Sequence, residues 1–177
     1  MAISRRHMRR TGFTLLELVI VICLIGIFAT VALDRLLRYQ ELAEKTAMEA
    51  TIGALRSAQT LQVASHIVRG GLPAVASLAD ENPVDWLADP PAGYLGALHD
   101  PAVASIPKGS WYFDLKNKEL VYRLQHTRFF TLGPDGSDRI RFKVVVRLGE
   151  AEGKSGVQQL SELAVRPTSP VKWAPEF

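Results

Sequence analysis

The chain has 177 residues, of which 47% are hydrophobic and 22% charged, and it carries a formal net charge of +3. Arg5, Arg6, Arg9 and Arg10 all fall in the first twelve residues; without them 17 basic residues face 18 acidic ones, which leaves no basic footprint for nucleic acid. Cys23 is the single cysteine, so no internal disulfide and no four-cysteine zinc site can form, and the length suits one modest domain plus one membrane segment.

Residues 1–12 read as a short leader ending at Gly12. Phe13 then opens an apolar run to Leu33, 21 residues in which Glu17 is the only charge. At about 1.5 Å per residue this run spans a hydrocarbon core of about 30 Å. The four arginines before it predict that the leader stays cytoplasmic and the rest of the chain lies outside. Asp34, Arg35 and Arg38 end the run as a membrane surface requires. A carboxylate at the bilayer centre costs about 2.5 kcal/mol or more, and less near the interface. One reading of Glu17 is therefore a shallow, tolerated position. The other, which we favour, is a partner: if the chain is cut after Gly12, Phe13 gains a free amine that Glu17 of a neighbouring subunit neutralises. A secretory signal is the rival for the whole segment, with Thr30-Val31-Ala32 as a weak cut site. The internal glutamate and the length of the run both speak against it.

The stretch from residue 5 to residue 33 resembles the prepilin segment of the type IV pilin family, which includes the pseudopilins of type II secretion. The resemblance implies cleavage by prepilin peptidase between Gly12 and Phe13, N-methylation of Phe13 by the same enzyme, and assembly through Glu17. Gly26 stands where the family often has a helix-loosening glycine. Asp34 stands where major subunits usually carry a proline, which points to a minor or accessory subunit. The implied partners are prepilin peptidase, other pilin or pseudopilin subunits and an inner-membrane assembly platform. The implied location is the bacterial inner membrane, single-pass, with the C-terminal part outside the cytoplasm, and then a pilus or periplasmic pseudopilus. Gly26 and Thr30 also form a small-xxx-small pair suited to close helix packing.

No proline occurs from Phe13 to Gly71, and residues 34–69 are rich in good helix formers, so one helix is predicted from Phe13 to Arg69, about 85 Å long. Gly70-Gly71-Leu72-Pro73 is its stop signal. Ala43, Ala47, Ala50, Ala54, Ala58, Leu61, Ala64 and Val68 recur at helical spacing and predict the face that packs on the chain's own outer domain. Glu41, Glu44, Lys45, Glu49 and Arg56 are expected on the other faces.

Residues 72–108 read as an irregular connecting region with a helical turn around Val84 to Leu87, anchored to the core by Trp86 and Tyr94. An antiparallel sheet of about four strands is expected over 109–166. Ser110–Asp114 and Glu119–Leu124 form a hairpin about Leu115–Lys118. A short strand covers Phe129–Leu132 and a last one Leu160–Arg166. In Arg139–Leu148, Ile140, Phe142, Val144, Val146 and Leu148 alternate with a basic row, Arg139, Arg141, Lys143 and Arg147. That row is expected to serve solubility and protection against edge pairing. The tail 167–177 has no assigned place. The predicted fold is thus α+β, a long N-terminal helix packed on a small antiparallel sheet.

Asp135 and Asp138 invite a calcium reading, but two aspartates fall far short of about 6 to 8 oxygen ligands, and turn chemistry accounts for both. No metal or other cofactor is expected. The histidines His7, His66, His99 and His126 are widely spaced and read as solvated or satisfied side chains. No nucleophile–base or paired-acid constellation points to an enzyme. The alternative to a filament subunit is a single-pass membrane protein whose outward-facing domain binds a partner without polymerising.

Overall fold

The computed structural model describes residues 13–128, 130–131, 136–150, 158–168 and 172–173. The chain divides into two compact units, one up to Tyr39 and one from Gln40 onward. Helix α1 covers Leu15–Val75 and contributes to both. Among the described residues of the second unit seven strands follow: β1 Tyr94–Leu98, β2 Ser110–Asp114, β3 Glu119–Arg123, β4 Phe130–Thr131, β5 Arg139–Glu150, β6 Gln158–Pro167 and β7 Lys172–Trp173.

In the first unit every described residue is exposed except Asp34, which is half-buried. Its apolar side chains make no core of their own. A contiguous apolar surface of this kind belongs in lipid or against other chains. The segment is long and apolar enough to cross a membrane. At its far end Asp34 and Arg38 pair one turn apart at 3.5 Å.

The second unit is α+β, as its sequence pattern predicts. The main sheet runs β1-β2-β3-β5-β6, with one difference from an all-antiparallel expectation: β1 pairs parallel with β2. The hairpin of β2 and β3 forms as expected, Ser110 facing Arg123 and Asp114 facing Glu119. Asp114 closes its turn by accepting from the Lys116 amide at 2.9 Å and from Asn117 Nδ2 at 2.7 Å. That side-chain mimicry of a backbone turn is what aspartate supplies at such positions. Strand β5 is the spine of the sheet, paired with β3 on one side and β6 on the other. The short strand expected near Phe129 is β4, and it pairs with β7 from the tail.

The core lies between α1 and one sheet face. Met48, Ile52 and Leu55 of the helix meet Trp111, Phe113, Leu120, Tyr122, Ile140, Phe142, Val144 and Val165. Trp111 stacks obliquely on Tyr122 and Phe142, with ring centroids 4.6 and 6.0 Å away. On the opposite sheet face a small second cluster of Ile106, Tyr112 and Val121 is covered by the chain leading into β2. This explains why β2 is buried along its whole length.

The alanine row does not pack on the core. Ala43, Ala47, Ala50, Ala54 and Ala64 are exposed, Ala58 is half-buried, and Leu61 and Val68 are 73% and 86% exposed. The buried stripe is Glu41, Met48, Ile52, Leu55 and Gln59, displaced by one residue, or about 100°, around the helix. Larger side chains win the interior because burial stabilises in proportion to apolar area, and alanine offers little. Glu41, expected on a solvated face, is 4% exposed.

The glycine pair does break the helix. Gly71 takes φ 71° and ψ −169°, outside helical space, and a further turn then runs on to Val75. Pro73 sits early in that turn, where its missing N–H costs nothing. Short 3₁₀ turns follow at Ala76–Ala79 and Pro83–Trp86, the second at the place expected around Val84. Trp86 and Tyr94 anchor the connecting region as anticipated: Trp86 Nε1 donates to Glu81 at 3.1 Å, and Asn82 Nδ2 donates to Tyr94 Oη at 2.9 Å. Both rings pack on the core.

Candidate functional site

The N-terminal segment is built around the start of α1. Gly12 lies outside the described residues, and Phe13 is the residue with which the described chain begins. Thr14 caps the helix: its Oγ1 accepts from the Glu17 amide at 3.2 Å, and its carbonyl accepts from the Leu18 amide at 3.1 Å. Glu17 is therefore the third helical residue, in the first turn of α1. Its carboxylate sits where the unpaired N–H groups and the positive end of the helix dipole favour negative charge. Thr14 was missed as a functional residue by sequence reasoning, although the Thr-x-x-Glu spacing of a capping box was there to find it. Among the described residues no cation is within ion-pair distance of Glu17.

The surroundings of Glu17 are apolar and open. Leu16, Leu18 and Ile20 are exposed, as is Cys23, which is a free thiol. A side chain built on Gly26 would meet nothing within 4 Å. Thr30 turns its hydroxyl inward, donating to the Ile27 carbonyl at 2.7 Å, so its polarity is met within the helix. The segment thus presents one carboxylate on an otherwise apolar surface.

A second carboxylate cluster lies in the other unit and has a structural task. Glu44 Oε1 accepts from Tyr122 Oη at 2.9 Å and from the Gln125 amide at 2.6 Å. Its Oε2 faces the His126 amide and His126 Nδ1, each at 3.0 Å. Glu41 Oε1 accepts from the Arg128 amide at 2.6 Å. Two helix carboxylates thus bind the donors of the chain leaving β3, a segment with no strand partner of its own. Burial, then the charge of Glu44 and its hydrogen bond, push the Tyr122 phenol well above its ordinary range. Tyr94 is shifted upward too, by burial first.

The histidines that the structure describes behave accordingly. His126 is held by Glu44, His66 Nε2 lies 3.2 Å from Glu81, and His99 is exposed. Of the two aspartates considered for calcium, Asp135 lies outside the described residues. Asp138 is engaged at 3.1 Å by Arg123 Nε, whose Nη1 also donates to the Val103 carbonyl at 2.9 Å and to that of Ile106. No group of three or more potential metal ligands occurs among the described residues.

Comparison with known proteins bears on this N-terminal segment. The prokaryotic N-terminal methylation motif matches residues 7–33. Over 59 residues the chain is 37% identical to the type IV major pilin protein PilA of Myxococcus xanthus, a match covering 33% of this chain and 27% of that protein. Over 54 residues it is 43% identical to the type IV narrow pilus major component PilA5 of Thermus thermophilus, covering 30% of this chain and 47% of that one. The chain therefore spans less than half the length of either relative. No solved structure matches it. The chain carries the methylation motif and is similar to type IV pilins.

Proposed function

We propose that this chain is a pilin-like structural subunit. Prepilin peptidase cuts between Gly12 and Phe13 and methylates the new terminus. The apolar helix holds the subunit in the inner membrane, with the unit from Gln40 outside the cytoplasm, until an assembly platform extracts it into a filament. The observation that carries this reading is a single carboxylate, Glu17, in the first turn of a helix whose large apolar side chains are exposed all the way from Leu15 to Leu37. An unpaired charge in an apolar contact is strongly penalised, so Glu17 admits a neighbour only where that neighbour's Phe13 amine meets it. The contact is heterologous, and repeated it builds an open filament.

Two finer points belong to the same reading. The relatives named above belong to type IV pili, which favours a pilus over a secretion pseudopilus. Asp34, paired with Arg38 where major subunits usually carry proline, favours a minor subunit. The test is Glu17→Val expressed in the native host. Cleavage persists, and the subunit disappears from sheared filaments while accumulating in membranes. Recovery of Glu17→Val protein in filaments at the wild-type level would remove the assembly role of Glu17, and absence of the wild-type protein from filaments would leave a membrane-anchored protein that does not polymerise.

A further inference from the structure

His66 makes two contacts that one neutral imidazole cannot satisfy. Its Nδ1 lies 2.9 Å from the Gln62 carbonyl, one turn earlier in α1. A carbonyl oxygen only accepts, so Nδ1 carries a hydrogen. Its Nε2 lies 3.2 Å from Glu81 Oε1. A neutral ring protonated at Nδ1 has a lone pair at Nε2, and that lone pair would face a carboxylate oxygen. Two acceptors do not bond. The contact needs one further proton between Nε2 and Oε1, and imidazole, ordinarily the stronger base of the two, holds it. In this arrangement His66 is an imidazolium that donates from both nitrogens.

The rest of the contact is built around the Glu81 carboxylate. Its Oε2 accepts from Trp86 Nε1 at 3.1 Å, and its Oε1 stands 3.4 Å from Ser77 Oγ. Glu81 thereby joins three pieces of chain: α1 and the two 3₁₀ turns Ala76–Ala79 and Pro83–Trp86. Between His66 and Glu81 lies Gly71, whose φ of 71° breaks the helix, so the pair spans that break. Val75, Leu78 and Val84 are buried and hold the core side of the segment whatever the charge on His66. The His66–Glu81 pair ties its solvent side to α1. The two side chains are 21% and 38% exposed, so protons from solvent reach them. Among the described residues Glu81 is the one charged group within ion-pair distance of His66. Arg69, Asp80 and Asp85, the neighbouring charges of the two segments, are exposed, and Asp85 takes the Asn82 side-chain amide.

We propose that the His66–Glu81 pair is a proton-operated latch on the connecting segment. At weakly acid pH the imidazolium bridges the Gln62 carbonyl and Glu81, and the latch is closed. As pH rises and the ring gives up its Nε2 proton, two acceptors face one another, and Glu81 parts from α1 and loosens the bond it accepts from Trp86. Strong acid opens the latch from the other side by taking the charge from Glu81. The inference concerns the unit from Gln40 alone and stands whether or not the chain polymerises. It gives the unit proposed to lie outside the cytoplasm a response to ambient pH.

The test is amide exchange by NMR on the full chain in detergent, at about pH 5.5 and about pH 8, on either side of the ordinary imidazole titration. Rates are normalised for the intrinsic effect of pH. In the wild type, protection at residues 77–82 and at the Trp86 indole N–H is about three- to fivefold greater at the lower pH, as suits a partly exposed ion pair. His66→Ala gives the weaker protection at both. Glu81→Gln reverses the order, because its neutral amide donates to imidazole and is repelled by imidazolium. His99→Ala, at an exposed histidine, keeps the wild-type difference. Equal protection of the wild type at the two pH values overturns the latch, and so does a difference that survives in His66→Ala. Where His66→Ala fails to fold, Glu81→Gln decides, and absence of the reversal overturns the proposal. A chelator leaves the wild-type difference unchanged; its loss on chelation assigns the pair to a bound divalent cation and overturns the proton.

Discussion

The two units of this chain solve opposite problems. The one from Gln40 onward hides its large apolar side chains from water, with Leu55, Leu78 and Leu124 fully buried. The one ending at Tyr39 hides none among its described residues: the leucines, isoleucines and valines from Leu15 to Leu37 stand on the outside of a helix. The first arrangement removes its large apolar side chains from water within one chain, and the second leaves them for lipid or other subunits to cover. One carboxylate in the exposed unit therefore carries more functional information than several in the buried one. Glu41 and Glu44 are consumed by backbone donors of their own chain. The comparison teaches that Glu41 and Glu44 are engaged within their own chain, whereas Glu17 stands exposed on an apolar surface, which is why the proposed filament contact is placed there.

Substitutions test that division. Leu55→Ala, in the middle of the buried stripe, is expected to lower the stability of the second unit by about 2–5 kcal/mol. A thermal melt followed by near-ultraviolet circular dichroism in detergent reads it. Leu24→Ala in the first unit, by contrast, leaves that midpoint unmoved. Glu44→Ala strands the Tyr122 hydroxyl and the Gln125 and His126 amides together, and is expected to cost about 3 kcal/mol. The loss should appear first as faster amide exchange at 125 and 126.

Tyr122 and Tyr94 give a test in pH. Each phenol is raised in the folded chain above its unfolded value of about 10. The unfolded chain therefore releases these protons first as pH rises. Their contribution to stability is complete below about pH 10 and is lost as pH climbs through the folded values. Absorbance at alkaline pH should show two phenols titrating late, and the melting midpoint should fall only above pH 10. Two normal titrations would break the placement of Tyr122 beside Glu44.

Smaller effects sharpen the picture. Thr14→Ala removes the helix cap and should cost about 1 kcal/mol, seen as faster exchange of the amides at 16–18 without change in the second unit. Leu61→Ser, on the exposed side of α1, should move stability by no more than about 0.5 kcal/mol. A loss comparable to that of Leu55→Ala would mean that the buried stripe has been placed on the wrong side of the helix.

These cases also mark what the sequence discloses. The exposed unit was readable because its constraints are one-dimensional: a run long enough to span a membrane, a charge on each flank, and one acid inside. Strands β2, β3, β5 and β6 were readable because alternation and turn residues are local signals. Strand β1 was not. Tyr94-Leu-Gly-Ala-Leu98 contains residues of poor strand propensity, and it is held by a parallel register with β2 that only the assembled sheet provides. Strand β7 was hidden for the same reason, since a two-residue strand exists only through its partner β4. The helix face was misjudged because spacing alone fits either of two rows one residue apart. Size decides between them, and Met48, Ile52 and Leu55 outweigh the alanines. Glu41 and Glu44 look like surface charges until the donors they satisfy, some 80 residues later, are brought to them.

The most direct test of the central claim is the intact mass and N-terminal peptide of the mature protein from native membranes. The account predicts a chain that begins at Phe13 with a methylated amine, the group that Glu17 of a neighbour is placed to neutralise. A chain beginning at Met1 or Ala2, or one cut near Leu33, would contradict it.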